Sequence, residues 1–168
     1  RKIIVFTEFA DTAAYLGEAI KTDFRVFKYS SADSSKENKK IIRRNFDASY
    51  TAEKQDNNFD ILVATDAMSE GINLHRAGIV FNYDMPYNPT RVIQRVGRIN
   101  RVNKKVFDKL YIYNYFPTAT GEDETRTKEI STLKIAMIHA LMGEDTKYLT
   151  KDEDLKSFYK EQYEMFRE

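Results

Sequence analysis

Apolar and polar positions along this chain follow two alternating rhythms. Residues 3–6 form a short continuous apolar run, which predicts a buried strand. Ala13, Leu16 and Ile20 then recur at helical spacing, so residues 10–20 are predicted as a helix. Residues 26–29 predict a second strand. Ser34-Ser35-Lys36-Glu37 offers a capping box for a second helix, whose apolar face is Ile41, Ile42 and Phe46. Residues 61–64, 79–81 and 110–113 supply three more apolar runs of strand length. Continuous apolar strands alternating with helices indicate a parallel sheet covered on both faces. Such sheets bind ligands at the carboxyl ends of their strands.

Residues 47–58 are polar and aperiodic, as expected of a surface loop between the second helix and the third strand. The character changes after Pro117. A polar linker leads to two amphipathic stripes, one of Ile130, Leu133, Met137, Ile138 and Leu141, the other of Leu155, Phe158, Tyr159, Tyr163 and Phe166. This divides the chain into a domain of residues 1–120 and a linker with a helical extension over residues 121–168. The fold expected is α/β, in three layers with a mostly parallel sheet. The chain starts at Arg1, two positions before the first apolar run, and a start so close to a strand predicts a fragment excised from a longer protein.

Composition narrows the chemistry. No cysteine occurs among the 168 residues, which removes disulfides and thiolate metal sites and fits a reducing, intracellular (cytoplasmic) setting. No apolar run approaches the ~20 residues needed to span a membrane. The net charge of +1 hides a bias: residues 1–120 carry 19 basic and 14 acidic side chains, residues 121–168 carry 8 and 12. The basic excess gathers at residues 36–44 and 91–105, a clustering that attracts phosphates, although solvated helix faces look the same. His75 and His139 stand alone without ligand spacing, so ordinary surface or core roles and no metal are expected. Most tyrosine and phenylalanine rings fall at core spacings, which favours packing over stacking on bases.

Three blocks carry the functional signal. In Gln94-Arg95-Val96-Gly97-Arg98-Ile99-Asn100-Arg101, with Arg91 before it, four arginines fall within eleven residues. Asn88-Pro89 suits a helix start and Gly97 a left-handed C-cap, leaving Arg98 and Arg101 on a turn beyond the helix. Guanidinium groups keep their charge at neutral pH and bind two phosphate oxygens at once, which suits a leaving γ-phosphoryl group. Surface salt bridges are the plainer reading of such a cluster. Thr65-Asp66-Ala67-Met68-Ser69-Glu70-Gly71-Ile72-Asn73 follows a strand and offers the hydroxyls of Thr65 and Ser69 and a turn of backbone N–H groups, suited to a sugar-phosphate backbone. An ordinary helix N-cap would also explain Thr65-Asp66. Asp84-Met85-Pro86-Tyr87-Asn88-Pro89 is a connector stiffened by proline.

In this order and spacing the blocks resemble motifs V and VI of superfamily-two helicases with the connector between them, and residues 2–9 resemble motif IV. Asp-x-Pro-aromatic-Asn-Pro followed by Gln-Arg-x-Gly-Arg-x-x-Arg is most similar to Swi/Snf-type translocases, on the bacterial branch that contains the RNA-polymerase-recycling ATPase. Arg95-Val96-Gly97-Arg98 stands where many eukaryotic members have Arg-Ala-His-Arg, which points away from a chromatin remodeller. The resemblance covers about residues 1–116. It implies a RecA-like fold and the second half of an ATP-dependent motor. Arg98 and Arg101 match the arginines that reach ATP across an interdomain cleft. Gln94 and Arg95 match positions that support the nucleotide site, Gly71 and Asn73 positions near the nucleotide, and Thr65 and Ser69 backbone-phosphate contacts. The cofactor implied is ATP with Mg²⁺. The chain contains no P-loop and no Walker-type Asp-Glu pair, so those parts are expected in a missing N-terminal RecA-like domain of the same protein, and the fragment alone is expected to be inactive. The partner expected is nucleic acid, double-stranded DNA first, bound in a salt-sensitive way through Thr65, Ser69 and the basic residues of 36–44 in one groove. An RNA helicase motor, a catalytically inactive RecA-like scaffold and, with no glycine-rich fingerprint to support it, a Rossmann-type domain are the competing readings.

Overall fold

The structure, a computed structural model, describes residues 1–68, 72–86, 88, 90–99, 106–107 and 109–115. The two amphipathic stripes, His139 and the domain boundary near residue 120 lie outside the described residues, as do Ser69, Gly71, Pro89 and Arg101. Residues 1–84 and 94–115 form one compact unit, which carries the sheet; residues 85–93 cluster in a second.

Five strands form one sheet: β1 (Lys2–Thr7), β2 (Val26–Tyr29), β3 (Ile61–Thr65), β4 (Ala77–Asn82) and β5 (Tyr111–Asn114), in the order β2-β3-β1-β4-β5. Every neighbouring pair is parallel. Helix α1 (Ala10–Ile20) joins β1 to β2, α2 (Lys36–Phe46) joins β2 to β3, and α3 (Thr90–Gly97) precedes β5. The first crossover runs outward from β1 to β2 and the second returns to β3. Right-handed crossovers in opposite directions put their helices on opposite faces. The two cores agree. Alternation along β1 and β3 sends Ile4, Phe6, Leu62 and Ala64 to one face, where Ile42 and Phe46 of α2 pack. Ile61 and Val63 face the other way, with Ile3, Val5, Ala13 and Leu16 of β1 and α1. The result is the three-layer parallel α/β fold expected.

Several local expectations change. The cap of α2 is Ser35, whose Oγ accepts the Asn38 N–H at 3.0 Å. Glu37 therefore falls inside the first turn instead of closing a box with Ser34. A reciprocal arrangement forms earlier, where the Asp33 carboxylate accepts from both N–H and Oγ of Ser30. The polar segment after α2 is a tethered loop with one 3₁₀ turn (Ala52–Lys54), and its first residue, Asp47, is buried. His75 is buried too, with Nδ1 3.8 Å from Asp47 Oδ1, so of the two ordinary roles expected, surface or core, it takes the core one. Ring packing holds for Phe6, Tyr29 and Phe46, but Phe9, Tyr15, Phe24 and Tyr83 are exposed, and it fails again at the β5 edge. There Tyr111 and Tyr113 point to an exposed face, and Tyr113 stacks on Phe81 with centroids 4.8 Å apart. An edge strand with alternating side chains has only one neighbour strand to shelter its rings.

Candidate functional site

The carboxyl ends of β1, β3 and β4 meet at one buried cation. Val92, Val96 and Ile99 recur at helical spacing and are buried. Arg95 falls on the same stripe, three residues after Val92, and is only 1% exposed. The start of α3 is held by Asn88, whose Oδ1 accepts the Thr90 N–H at 3.0 Å and whose carbonyl accepts the Arg91 N–H at 3.0 Å. A guanidinium so deep is tolerated only with its charge and donors matched. Asp66, one residue past β3, meets it with both oxygens: Nε to Oδ1 and Nη2 to Oδ2, each 2.7 Å. Such a fork-to-fork pair is the strongest form of this contact and fixes both planes. Nη1 donates to Asn82 Oδ1 at 3.2 Å and to the Asp84 carbonyl at 3.4 Å, and the group lies 5.3 Å from the Phe6 ring centroid.

The acceptors are themselves held. Asn82 is fully buried, and its amide donates to Asn114 Oδ1 at 2.7 Å. The Asp84 carboxylate accepts from the Glu8 N–H at 2.8 Å and from the Thr7 hydroxyl. The Tyr83 N–H reaches the Phe6 carbonyl at 2.9 Å. The loops after β1, β3 and β4 are thereby joined through Arg95 and Asp84.

Arg98 emerges from this base. Its N–H still bonds the Gln94 carbonyl at 3.2 Å, and the next amide, Ile99, turns back to Val96 at 2.9 Å. Gly97 is the last helical residue, but its φ is not in the left-handed region, so the expected left-handed cap is not what ends α3. The shorter Ile99–Val96 bond tightens the last turn and drops the Ile99 side chain into the core. The Arg98 carbonyl accepts the Leu74 N–H at 3.0 Å. That bond sets Asn73, half-buried, beside the backbone of Arg98 in the chain fold. Gln94 is exposed one helical turn before Arg98. Arg95 thus lies at the carboxyl ends of the strands, while the Leu74 bond sets Arg98, and with it Asn73, beside the segment that leads into β4. Arg95 is buried and acts through the groups it holds.

Thr65 differs from expectation. It pairs with Thr7 inside the sheet and is 4% exposed, so its side chain is part of the strand layer. The basic run of residues 36–44 differs as well. Its end, Arg44, lies at the opposite edge of the sheet, beside the residues that lead into β3 and β4. There it pairs with Asp56 at 2.9 Å, and Arg76 donates to the carbonyls of Arg44, Asn45 and Asp56. Helix α2 rises ~1.5 Å per residue, so Arg44 stands roughly 12 Å along it from Lys36 and away from the Thr65 end. Asp66, Asn82 and Asp84 carry the site and were missing from the sequence reading. One signal pointed to them: an arginine on an apolar helical stripe needs a buried acceptor.

Among the described residues no group of three or more His, Cys, Asp or Glu side chains could hold a metal ion, and no helix is long and apolar enough to cross a membrane. Arg98 and Asn73 are half-buried and Gln94 is exposed; a guanidinium and two side-chain amides are donors of the kind that suit phosphate and ribose oxygens.

Residues 1–103 match the family described as the helicase conserved C-terminal domain. The uncharacterized ATP-dependent helicase YqhH of Bacillus subtilis is 31% identical over 157 residues, which is 89% of this chain and 25% of that protein. The RNA polymerase-associated protein RapA of Vibrio cholerae is 30% identical over 111 residues, 66% of this chain and 11% of RapA. ATP-dependent RNA helicases also stand among the relatives. The crystal structure of the C-terminal part of the Fun30 ATPase domain superposes with a TM-score of 0.62 at 18% identity, covering 78% of this chain and 39% of that one. The chain therefore spans a quarter or less of these curated relatives, and its fold is that of RecA-like helicase C-terminal domains.

Proposed function

This chain belongs to the helicase conserved C-terminal domain family of superfamily two, on its Swi/Snf-like side, and from that premise we propose that it is the second RecA-like half of an ATP-dependent nucleic-acid motor. Residues 1–120 form the motor half in this reading, and residues 121–168 a linker and helical extension. One observation carries the proposal: the base of Arg98 is fixed by a buried arginine beneath it and a backbone bond to Leu74. A cation that stabilises charge in a transition state must be held in place before the reaction.

ATP, when bound, supplies a γ-phosphoryl group that gathers negative charge as it leaves. Arg98, joined by Arg101, donates to those oxygens from the wall opposite the nucleotide. Asn73 and Gly71 border the sugar, Gln94 supports the arginines from the exposed side of α3, and Arg95 positions them. Mg²⁺ would be held by carboxylates of an N-terminal RecA-like domain of the same protein, as in related motors. Closing the two halves ties hydrolysis to movement along a sugar-phosphate backbone, with Ser69 and the Thr65 turn as the contacting segment. Double-stranded DNA is the track proposed, on the Swi/Snf-like motif pattern; the RNA helicases among the relatives support RNA as the second reading. The motor works inside the cell, where both tracks and ATP occur.

The test is turnover in the full-length protein. Arg98→Ala and Arg98→Lys are each expected to lower ATP hydrolysis by about 10³-fold or more, the scale of arginine fingers, with unfolding temperature and nucleic-acid affinity kept near the parent's. Normal folding with hydrolysis within a few-fold of the parent would end the proposal.

A further inference from the structure

Two independent bonds join the stretch after β3 to the stretch that carries Arg98. At one end, Asp66 grips Arg95 through two oxygens at 2.7 Å. At the other, the Leu74 N–H meets the Arg98 carbonyl at 3.0 Å. Arg95 and Arg98 lie three residues apart on α3 and the turn that ends it. The Asp66–Arg95 fork sets the rotation of that last turn, and the Leu74 bond sets the height of Arg98 above it. Asp66 is itself about one quarter exposed, while its partner is sealed. The carboxylate thus stands between solvent and a buried cation.

From this arrangement we infer that Asp66 is a positioning residue for Arg98, linking the turn after β3 to the phosphate-facing arginine. The inference rests on the reading of Arg98 above and goes beyond it by assigning a residue that touches neither nucleotide nor track. A helix N-cap is the ordinary role of an Asp after a strand. Here both of its oxygens also meet Arg95, and Asp66 to Met68 form a turn, with the Met68 N–H bonded to the Thr65 carbonyl at 3.1 Å. The geometry is demanding: two oxygens in one plane are required, which Asp offers and Asn does not. With Asn, one oxygen and one NH₂ group would face a guanidinium that has only donors. Arg95 would then tilt, and a misplacement of ~1 Å at Arg98 can cost about 10²-fold in rate.

The experiment uses the full-length protein and a double-mutant cycle between Asp66→Asn and Arg98→Ala, read as single-turnover ATP hydrolysis with saturating nucleic acid. Asp66→Asn alone is expected to lower the rate by about 10- to 100-fold, with KM for ATP and nucleic-acid affinity within a few-fold of the parent. In the Arg98→Ala background it is expected to lower the rate no further, because a residue that acts through another adds nothing once the other is gone. A core variant away from the site, Val80→Ala, controls for stability and is expected to keep the rate. Should Asp66→Asn fail to melt cooperatively, Arg95→Lys takes its place, since it keeps the charge and loses the fork. Multiplicative losses in the double variant, or a parental rate in Asp66→Asn with Arg98→Ala inactive, would overturn the inference alone. A parental rate in Arg98→Ala would overturn the reading of Arg98 and the inference with it.

Discussion

Replacing Asn45 by Ala tests how the loop between α2 and β3 is held. Asn45 is fully buried near the end of α2. Its Oδ1 accepts two consecutive backbone amides, Asn58 at 2.9 Å and Phe59 at 3.2 Å, and its Nδ2 donates to the Ile41 carbonyl at 2.9 Å. The Ile41 carbonyl sits within α2, so losing the second donor there matters little. The two amides matter more. A buried donor left without an acceptor costs about 1–3 kcal/mol. Asn58 is exposed, so water can recover part of its share, whereas Phe59 is half-buried beside Phe27, with ring centroids 5.0 Å apart. Arg76 still holds the loop through the Asp56 carbonyl and Asn57 Oδ1. The loss is therefore expected at about 2–4 kcal/mol. For a chain of this size that is a fall in unfolding temperature of roughly 5–15 °C. Thermal unfolding followed by circular dichroism measures it, and hydrogen exchange at the Asn58 and Phe59 amides reports the local cause. A variant that melts within about 2 °C of the parent, with both amides still protected, would refute this account of the loop.

Two further outcomes follow from buried charges. Burial first, then the charge of Arg76 and more weakly that of Arg25, against the opposing pull of Asp60, lowers the Lys2 pKa to about 8. Below that pH the ammonium is charged in both folded and unfolded chains, and the folded chain bears its full cost. As pH rises from about 8 towards 10.5 the folded chain releases its proton first, so the parent should gain on Lys2→Met by up to the order of 3 kcal/mol; a stability gap that does not change between pH 7 and pH 10.5, by urea titration, would contradict this. Asp66→Ala strands the Arg95 guanidinium, 1% exposed, and is expected to cost about 3–5 kcal/mol, while Asp66→Leu with Arg95→Met should lie close to the parent; urea midpoints that rank the double replacement below the single one would count against a buried, paired site.

Much of the architecture could be read from the residues. The runs at β1, β2 and β3 and the helical stripe of α1 appear where the two periods put them, because burial on both faces demands continuous apolar strands and one-sided helices. The family could be read from the order and spacing of three blocks, which are local patterns. The candidate site was legible in part. Arg95 and Arg98 belong to such a block, but Asp66 lies twenty-nine residues before Arg95, and the Asp84 carboxylate is held by residues seventy-six and seventy-seven positions away.

Such partnerships depend on strand order. Nothing in a run of apolar residues dictates β2-β3-β1-β4-β5, yet this order sets β1 between β3 and β4 and so gathers Thr7, Asp66 and Asp84 at one end. The direction of α2 carries Arg44 to the other end, out of the groove its charge suggested. Thr65 is drawn into the strand layer by its pairing with Thr7, and Ser35 is preferred to Ser34 as a cap by where the chain turns after its 3₁₀ turn at Ser31–Asp33. By itself the sequence determined the elements, the layer architecture and the family, since these rest on local periodicity and short motifs. Which charges became partners, and which were sealed inside, was decided by the tertiary structure, because the desolvation cost of a charge depends on neighbours that only the folded sheet brings within reach.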